Sequence, residues 1–283
     1  MASAVSTGEM VAAVLADLVG RIEQRLPAAV EDEYDGVHRL RTSVRRLRTA
    51  LSVFGHHLRG RPTKALRRDL GDLGALLGVP RDLEVRADLL DDLLERLELG
   101  DLRADLVDPL RLEHGGAHRT FAAWSGGAAA ADLRATLAEW SAGPPLKRPD
   151  KPAEEVASGL VLGQADVTLG LVPDVLAEAS PEALHELRKK ARRLRHTAEA
   201  VTKEPVALLG ADVVDLGAAG SAIQSRLGDH RDALLLAEHV ERTAPAMAPY
   251  SAVAATAREL ACEALAGLPD DVERLAEARD RLR

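Results

Sequence analysis

An all-α fold is predicted by three observations. Alanine and leucine supply 50 and 46 of the 283 residues, and both are strong helix formers. Isoleucine occurs twice and the aromatic fraction is 2%, which removes much of the usual material of strands. Apolar residues recur at three- and four-residue spacing along nearly the whole chain, with no alternating run long enough for a sheet.

Each element follows from that spacing. Val11, Val14, Leu15, Leu18 and Ile22 form a first apolar stripe. A second helix covers 36–57, with Val37, Leu40, Val44, Leu47 and Leu51 on one face. Pro62 near a start and Gly78 with Pro80 at an end bracket a third. A fourth, rich in acids and leucines, spans 82–97, and two more follow at 109–124 and 132–140. The stretch 141–153 holds Pro144, Pro145, Pro149 and Pro152 and reads as a linker. Beyond it the pattern predicts helices at 154–178, 181–201, 205–227, 232–243 and 249–282, the last broken at Pro269.

Composition narrows the function classes. At 46% hydrophobic and 29% charged, the chain is globular. Its single cysteine, Cys262, excludes an internal disulfide framework and a Cys-based zinc site; it is expected in helix packing. The N-terminal stretch has no basic region ahead of an apolar one, so no signal peptide is expected. No stretch approaches about 18 uncharged apolar residues, the strongest being 206–223, which contains Asp212 and Asp215. The expectation is a cytoplasmic protein without a membrane partner.

The net charge of −8 conceals an uneven distribution. Between 36 and 68 there are Arg39, Arg41, Arg45, Arg46, Arg48, Arg59, Arg61, Lys64, Arg67 and Arg68, with no acid. Between 184 and 195 stand Arg188, Lys189, Lys190, Arg192, Arg193 and Arg195 against Glu186 alone. The rest of the chain is therefore strongly acidic. Crowded like charge costs free energy unless an anion offsets it.

The chain also repeats itself. His38, Leu40, Arg41 and then Arg45-Arg46-Leu47-Arg48 recur at identical spacing as His185, Leu187, Arg188 and Arg192-Arg193-Leu194-Arg195, offset by 147. Leu77-Gly78 with Arg81-Asp82 recurs as Leu227-Gly228 with Arg231-Asp232, offset by 150. Two landmarks in the same order indicate a duplicated unit. The predicted architecture is two helical, four-helix-bundle-like halves, 1–141 and 154–283, joined by 142–153 and related by a pseudo-two-fold.

At about 100° per residue, His38, Arg41, Arg45 and Arg48 share an arc of about 80° bordering the apolar face. His185, Arg188, Arg192 and Arg195 repeat it, and Lys189 widens the second stripe. A helix face beside the core suits the wall of a groove. Its guanidinium row, roughly 15 Å long, matches a repeated anion better than a single phosphate. The alternative is a solvated face paired with the acids of 82–98. His38 and His185 are either donors to that anion or partners of Asp35, Glu182 or a carbonyl. Gly78 and Gly228 read as residues that follow helix ends, and Asp82 and Asp232 as caps of the next helices.

No Gly-rich phosphate loop, Gly-x-Ser-x-Gly elbow or His-Glu-x-x-His is present. A chain dense in donors, with no nucleophile and no metal site, reads as a binder that needs no cofactor.

The His-x-Leu-Arg helix with Arg-Arg-Leu-Arg, then Leu-Gly-x-x-Arg-Asp, then the whole pattern again, resembles the CHAD family, the conserved histidine α-helical domain. That resemblance implies two four-helix bundles flanking a basic channel that binds inorganic polyphosphate, and association with polyphosphate granules. By position it implies contacts from His38, Arg41, Arg45, Arg46, Arg48, His185, Arg188, Lys189, Arg192, Arg193 and Arg195, with Arg67 and Arg68 as further walls. Two other functions use the same stripes: a nucleic-acid-associated protein, or a scaffold docking an acidic partner. The acidic body disfavours broad contact with a duplex, and the scarcity of aromatics disfavours base stacking.

Overall fold

The structure, a computed structural model, describes residues 5–147 and 149–283; Arg148 of the Pro-rich stretch lies outside them. In order, the helices are α1 (Thr7–Val30), α2 (Gly36–Val53), α3 (Gly60–Leu76), α4 (Gly78–Arg96), α5 (Arg103–Leu106), α6 (Asp108–Ser125), α7 (Ala128–Ala142), α8 (Ala153–Leu169), α9 (Val172–Ala177), α10 (Pro181–Thr202), α11 (Ala211–Thr243), α12 (Ala248–Ala266) and α13 (Leu268–Asp280). No strand occurs among the described residues beyond two isolated bridges. The fold is all-α.

Local chemistry fixes the helix starts that matter here. Ser6 and Glu9 form a capping box on α1, Ser6 N donating to Glu9 Oε2 at 2.8 Å. Ser180 accepts from Ala183 N at 3.2 Å, with Pro181 opening α10. The fixed φ of proline suits a first helical position, so α10 starts sharply just before its basic run.

Buried apolar residues separate into two cores, and each draws on both sides of 142–153. One joins α1, α2, α3 and α7 to α8, α10, α13 and the first half of α11; Leu15, Leu40, Leu47, Leu187 and Leu194 are fully buried in it. The other joins α4, α5 and α6 to the second half of α11 and to α12, around Leu90, Leu94, Val107, Ala237 and Val253. The Pro-rich stretch is strapped down by backbone hydrogen bonds, Thr7 N to Lys151 O and Lys147 N to His57 O at 2.8 Å each, and Arg59 N to Pro145 O at 2.9 Å.

Three expectations are corrected. The segments predicted at 205–227 and 232–243 form one continuous α11 that begins only at Ala211, because the chain holds helical geometry through Gly228. The stretch most suited by length and composition to cross a membrane is 153–177, not 206–223, although α8 buries Ala153, Ala157, Val161 and Ala165 inside the protein. Cys262 is exposed, since α12 packs through Val253, Ala254, Ala257 and Ala261 instead.

Candidate functional site

The two basic helices meet at a crossing. Thr49 Oγ1 lies 3.4 Å from His196 Nδ1. On one side of it Arg46 Nη2 reaches Glu199 Oε2 at 2.8 Å. On the other, Arg193 Nη2 donates to the Ser52 carbonyl at 3.4 Å. The 147-residue offset carries Arg46 onto Arg193, Thr49 onto His196 and Ser52 onto Glu199. The crossing contacts thus exchange as a two-fold relation requires.

Arg41, Arg45, Arg188 and Arg192 gather in the space before the crossing. Burial, and then the charges of Arg192, Arg41 and Arg188, push Arg45 down to about 9. Burial, and then Arg188, Arg41 and Arg48, push Arg192 down to about 10. Both remain cations at neutral pH. Arg41 stands 3.5 Å from Asp82, but among the described residues Arg45, Arg48, Arg188, Arg192 and Arg193 have no ion-pair partner. The Nε atoms of Arg188 and Arg193 are buried with no hydrogen bond. Withdrawing guanidinium groups from water without carboxylates is costly, and such unpaid cost concentrates at functional sites. Elsewhere arginines find acids readily, as Arg103 and Arg111 do on Asp91.

Glycines make the arginines fit. The Arg48 guanidinium lies over Gly71 and Gly74, where added Cβ atoms would be 3.4 and 3.7 Å from its nitrogens. Arg41 lies over Gly78 at 3.6 Å, and Arg188 over Gly228 at 2.8 Å, by the same measure. Gly78 follows the C-cap of α3, Leu77, as expected, whereas the expected role of Gly228 is corrected. Gly78 opens α4, Gly228 lies inside α11, and no described glycine has positive φ. Each is a seat for the stripe arginine of its own half. Asp82 and Asp232 are likewise not caps: α4 starts at Gly78 without a side-chain cap, and Asp232 is mid-helix. Both acids face the cluster instead. Burial raises the Asp232 carboxyl against the pull of Arg188, and Asp82 and Asp229 raise it further.

The histidines stand at the outer ends of the stripes, both exposed. His185 Nδ1 accepts from Arg231 Nη1 at 2.8 Å, which leaves Nε2 to carry the ring proton of the neutral form. Burial and Arg231 lower its pKa; burial and Arg81 lower that of His38. Asp35, one expected partner of His38, bonds Arg39 at 2.9 Å instead. Arg81 is held by Glu84 at 2.8 Å.

The other predicted residues divide by flank. Arg46, Arg195 and Lys203 converge on Glu199, at 2.8, 3.3 and 3.2 Å. Burial alone would raise that carboxyl, but the three cations hold it below its usual value. Arg193 and Arg67 repel one another on the opposite flank. Lys189 pairs with Glu186 at 2.6 Å and Arg68 with Asp69 at 2.9 Å, all outside the cluster. Of the acids in 82–98, only Asp82 reaches a stripe arginine. Sequence reasoning missed Glu199 as a counterion and the glycines as seats. The signals that would have found them are the four-residue spacing of Arg195 and Glu199 and, for Gly78 and Gly228, the recurring Leu-Gly-x-x-Arg-Asp.

The site is a half-buried, under-neutralised guanidinium cluster between two repeated helices of an all-α protein. The profile of the CHAD domain family matches residues 13–241, and the chain belongs to that family. It is 30% identical over 225 residues to the uncharacterized protein Rv2226 of Mycobacterium tuberculosis strain H37Rv. The same figures hold for MT2285 of strain CDC 1551. The match takes in 74% of this chain and 40% of those proteins, so the chain spans about two fifths of their length. Its fold is similar to the CHAD domain from the plant Ricinus communis, with TM-score 0.74 and 21% identity over 100% of this chain and 94% of that one. It is also similar to PptA from Streptomyces chartreusis, with TM-score 0.69 and 20% identity over 97% and 99%.

Proposed function

We propose that the protein binds inorganic polyphosphate non-catalytically in the cluster between α2 and α10. One observation carries the reading: Arg45, Arg188 and Arg192 are held together, half-buried and without ion-pair partners. A linear polyanion supplies closely spaced oxygens that satisfy several forks at once, which a single phosphate does not. The motif resemblance points to the same ligand, and residence on polyphosphate granules follows from that affinity. The acidic remainder of the chain favours a narrow, flexible anion over a duplex.

The test is competition at fixed salt between long-chain polyphosphate, duplex DNA, single-stranded RNA and an acidic peptide. Polyphosphate is expected to displace the others. Tighter binding of a nucleic acid would transfer the site to that class, and tighter binding of the peptide would favour a docking scaffold.

A further inference from the structure

The two flanks of the crossing are related by the 147-residue offset but differ in charge. On one, Glu199 gathers Arg46, Arg195 and Lys203 and leaves a pocket of only about 40 Å³, room for a few water molecules. On the other, the residue equivalent to Glu199 is Ser52. There Arg193, the counterpart of Arg46, has a long hydrogen bond to the Ser52 carbonyl in place of a carboxylate. After burial, the charge that lowers its pKa is another cation, Arg67.

This second flank is continuous with the centre. Arg48 adjoins Arg192 electrostatically and lies along α3 over Gly71 and Gly74. Arg67 is one turn before Gly71 on that helix. A row of cations therefore runs from Arg188 and Arg41 through Arg192 and Arg48 to Arg67 and Arg193, while on the equivalent flank Arg46, Arg195 and Lys203 are drawn into ion pairs with Glu199.

We infer that a linear polyanion leaves the central cluster by one flank only, over Arg48, Arg67 and Arg193, because Glu199 closes the equivalent flank. The inference rests on reading the centre as a condensed-phosphate site. It assigns Glu199 a specificity role: it removes Arg46 and Arg195 from the ligand and gives the bound chain one exit.

The discriminating variant is Ser52→Glu, which places on the open flank the acid that already closes the other. It adds a partner for Arg193, so folding is expected to hold, with a melting temperature no lower than that of the parent. Affinity is measured by calorimetry for tripolyphosphate and for long-chain polyphosphate. S52E should weaken the long chain by about tenfold or more, the worth of one lost charge-assisted contact, and leave tripolyphosphate within about threefold, because it is confined to the centre and feels only screened charge from position 52. Arg67→Ala should reproduce the long-chain loss. Equal effects on both ligands, or none on either, would overturn the single exit while leaving the central site intact. Failure of the parent protein to bind either phosphate would overturn the central site itself.

Discussion

Gly228→Ala sets the proposed logic of the site against ordinary helix energetics, because the two predict opposite signs. Gly228 lies inside the 33-residue α11, far from either end. There, replacing glycine by alanine should stabilise the helix by about 0.8–1 kcal/mol. A domain of this size would gain roughly 2–4 °C in melting temperature. The new Cβ, however, would stand 2.8 Å from Arg188 Nη2 and 3.4 Å from its Cζ. No carbon–nitrogen contact survives at that distance, so the guanidinium must move. It is the free end of a long side chain, so the movement costs the fold little. Displacing it from the cluster should forfeit one charge-assisted contact of roughly 1.5–3 kcal/mol, on the order of 10- to 150-fold in polyphosphate affinity before screening. Gly78→Ala is the control: its Cβ would meet Arg41 Nη2 at an ordinary 3.6 Å, at the first residue of α4. Thermal melts and titration calorimetry on both variants supply the readouts. Unchanged affinity in G228A, or a lower melting temperature, would refute the idea that this glycine exists to seat an arginine.

Two further expectations concern charge. If α2 and α10 line one site, R41A/R45A and R188A/R192A should each weaken long-chain polyphosphate by on the order of 10²–10⁴-fold; unchanged affinity with halved stoichiometry would mean two separate patches. Asp232 has a folded-state pKa above the ordinary carboxylate value, so its ionised form is held at a cost that is relieved as pH falls through that pKa. Polyphosphate should therefore bind more tightly as pH drops from neutral towards the carboxylate range, while Asp232→Asn should be more stable at neutral pH, bind more tightly there and show a flatter profile. A D232N profile parallel to the parent's would remove Asp232 from the site.

The sequence determined the helices, because an apolar residue every third or fourth position specifies a buried face whatever it packs against. It determined the two arginine rows too: their spacing sets which side chains share a face, and Leu40, Val44, Leu187 and Leu194 set which face turns inward. Only the tertiary structure decided what those rows meet. That α2 crosses α10 at Thr49 and His196 depends on packing between residues 147 apart, which no local pattern encodes. From that crossing follow the joining of Arg41, Arg45, Arg188 and Arg192, the turning of Asp82 and Asp232 towards them, and the sorting of Arg46 and Arg193 to opposite flanks. The glycines show the division most clearly. A Leu-Gly pair before Arg and Asp carries the local chemistry of a helix end, and a sequence displays only that chemistry. At Gly228 the hydrogen atom in place of a Cβ makes room for an arginine arriving from another helix, and this need arises only once the helices are packed.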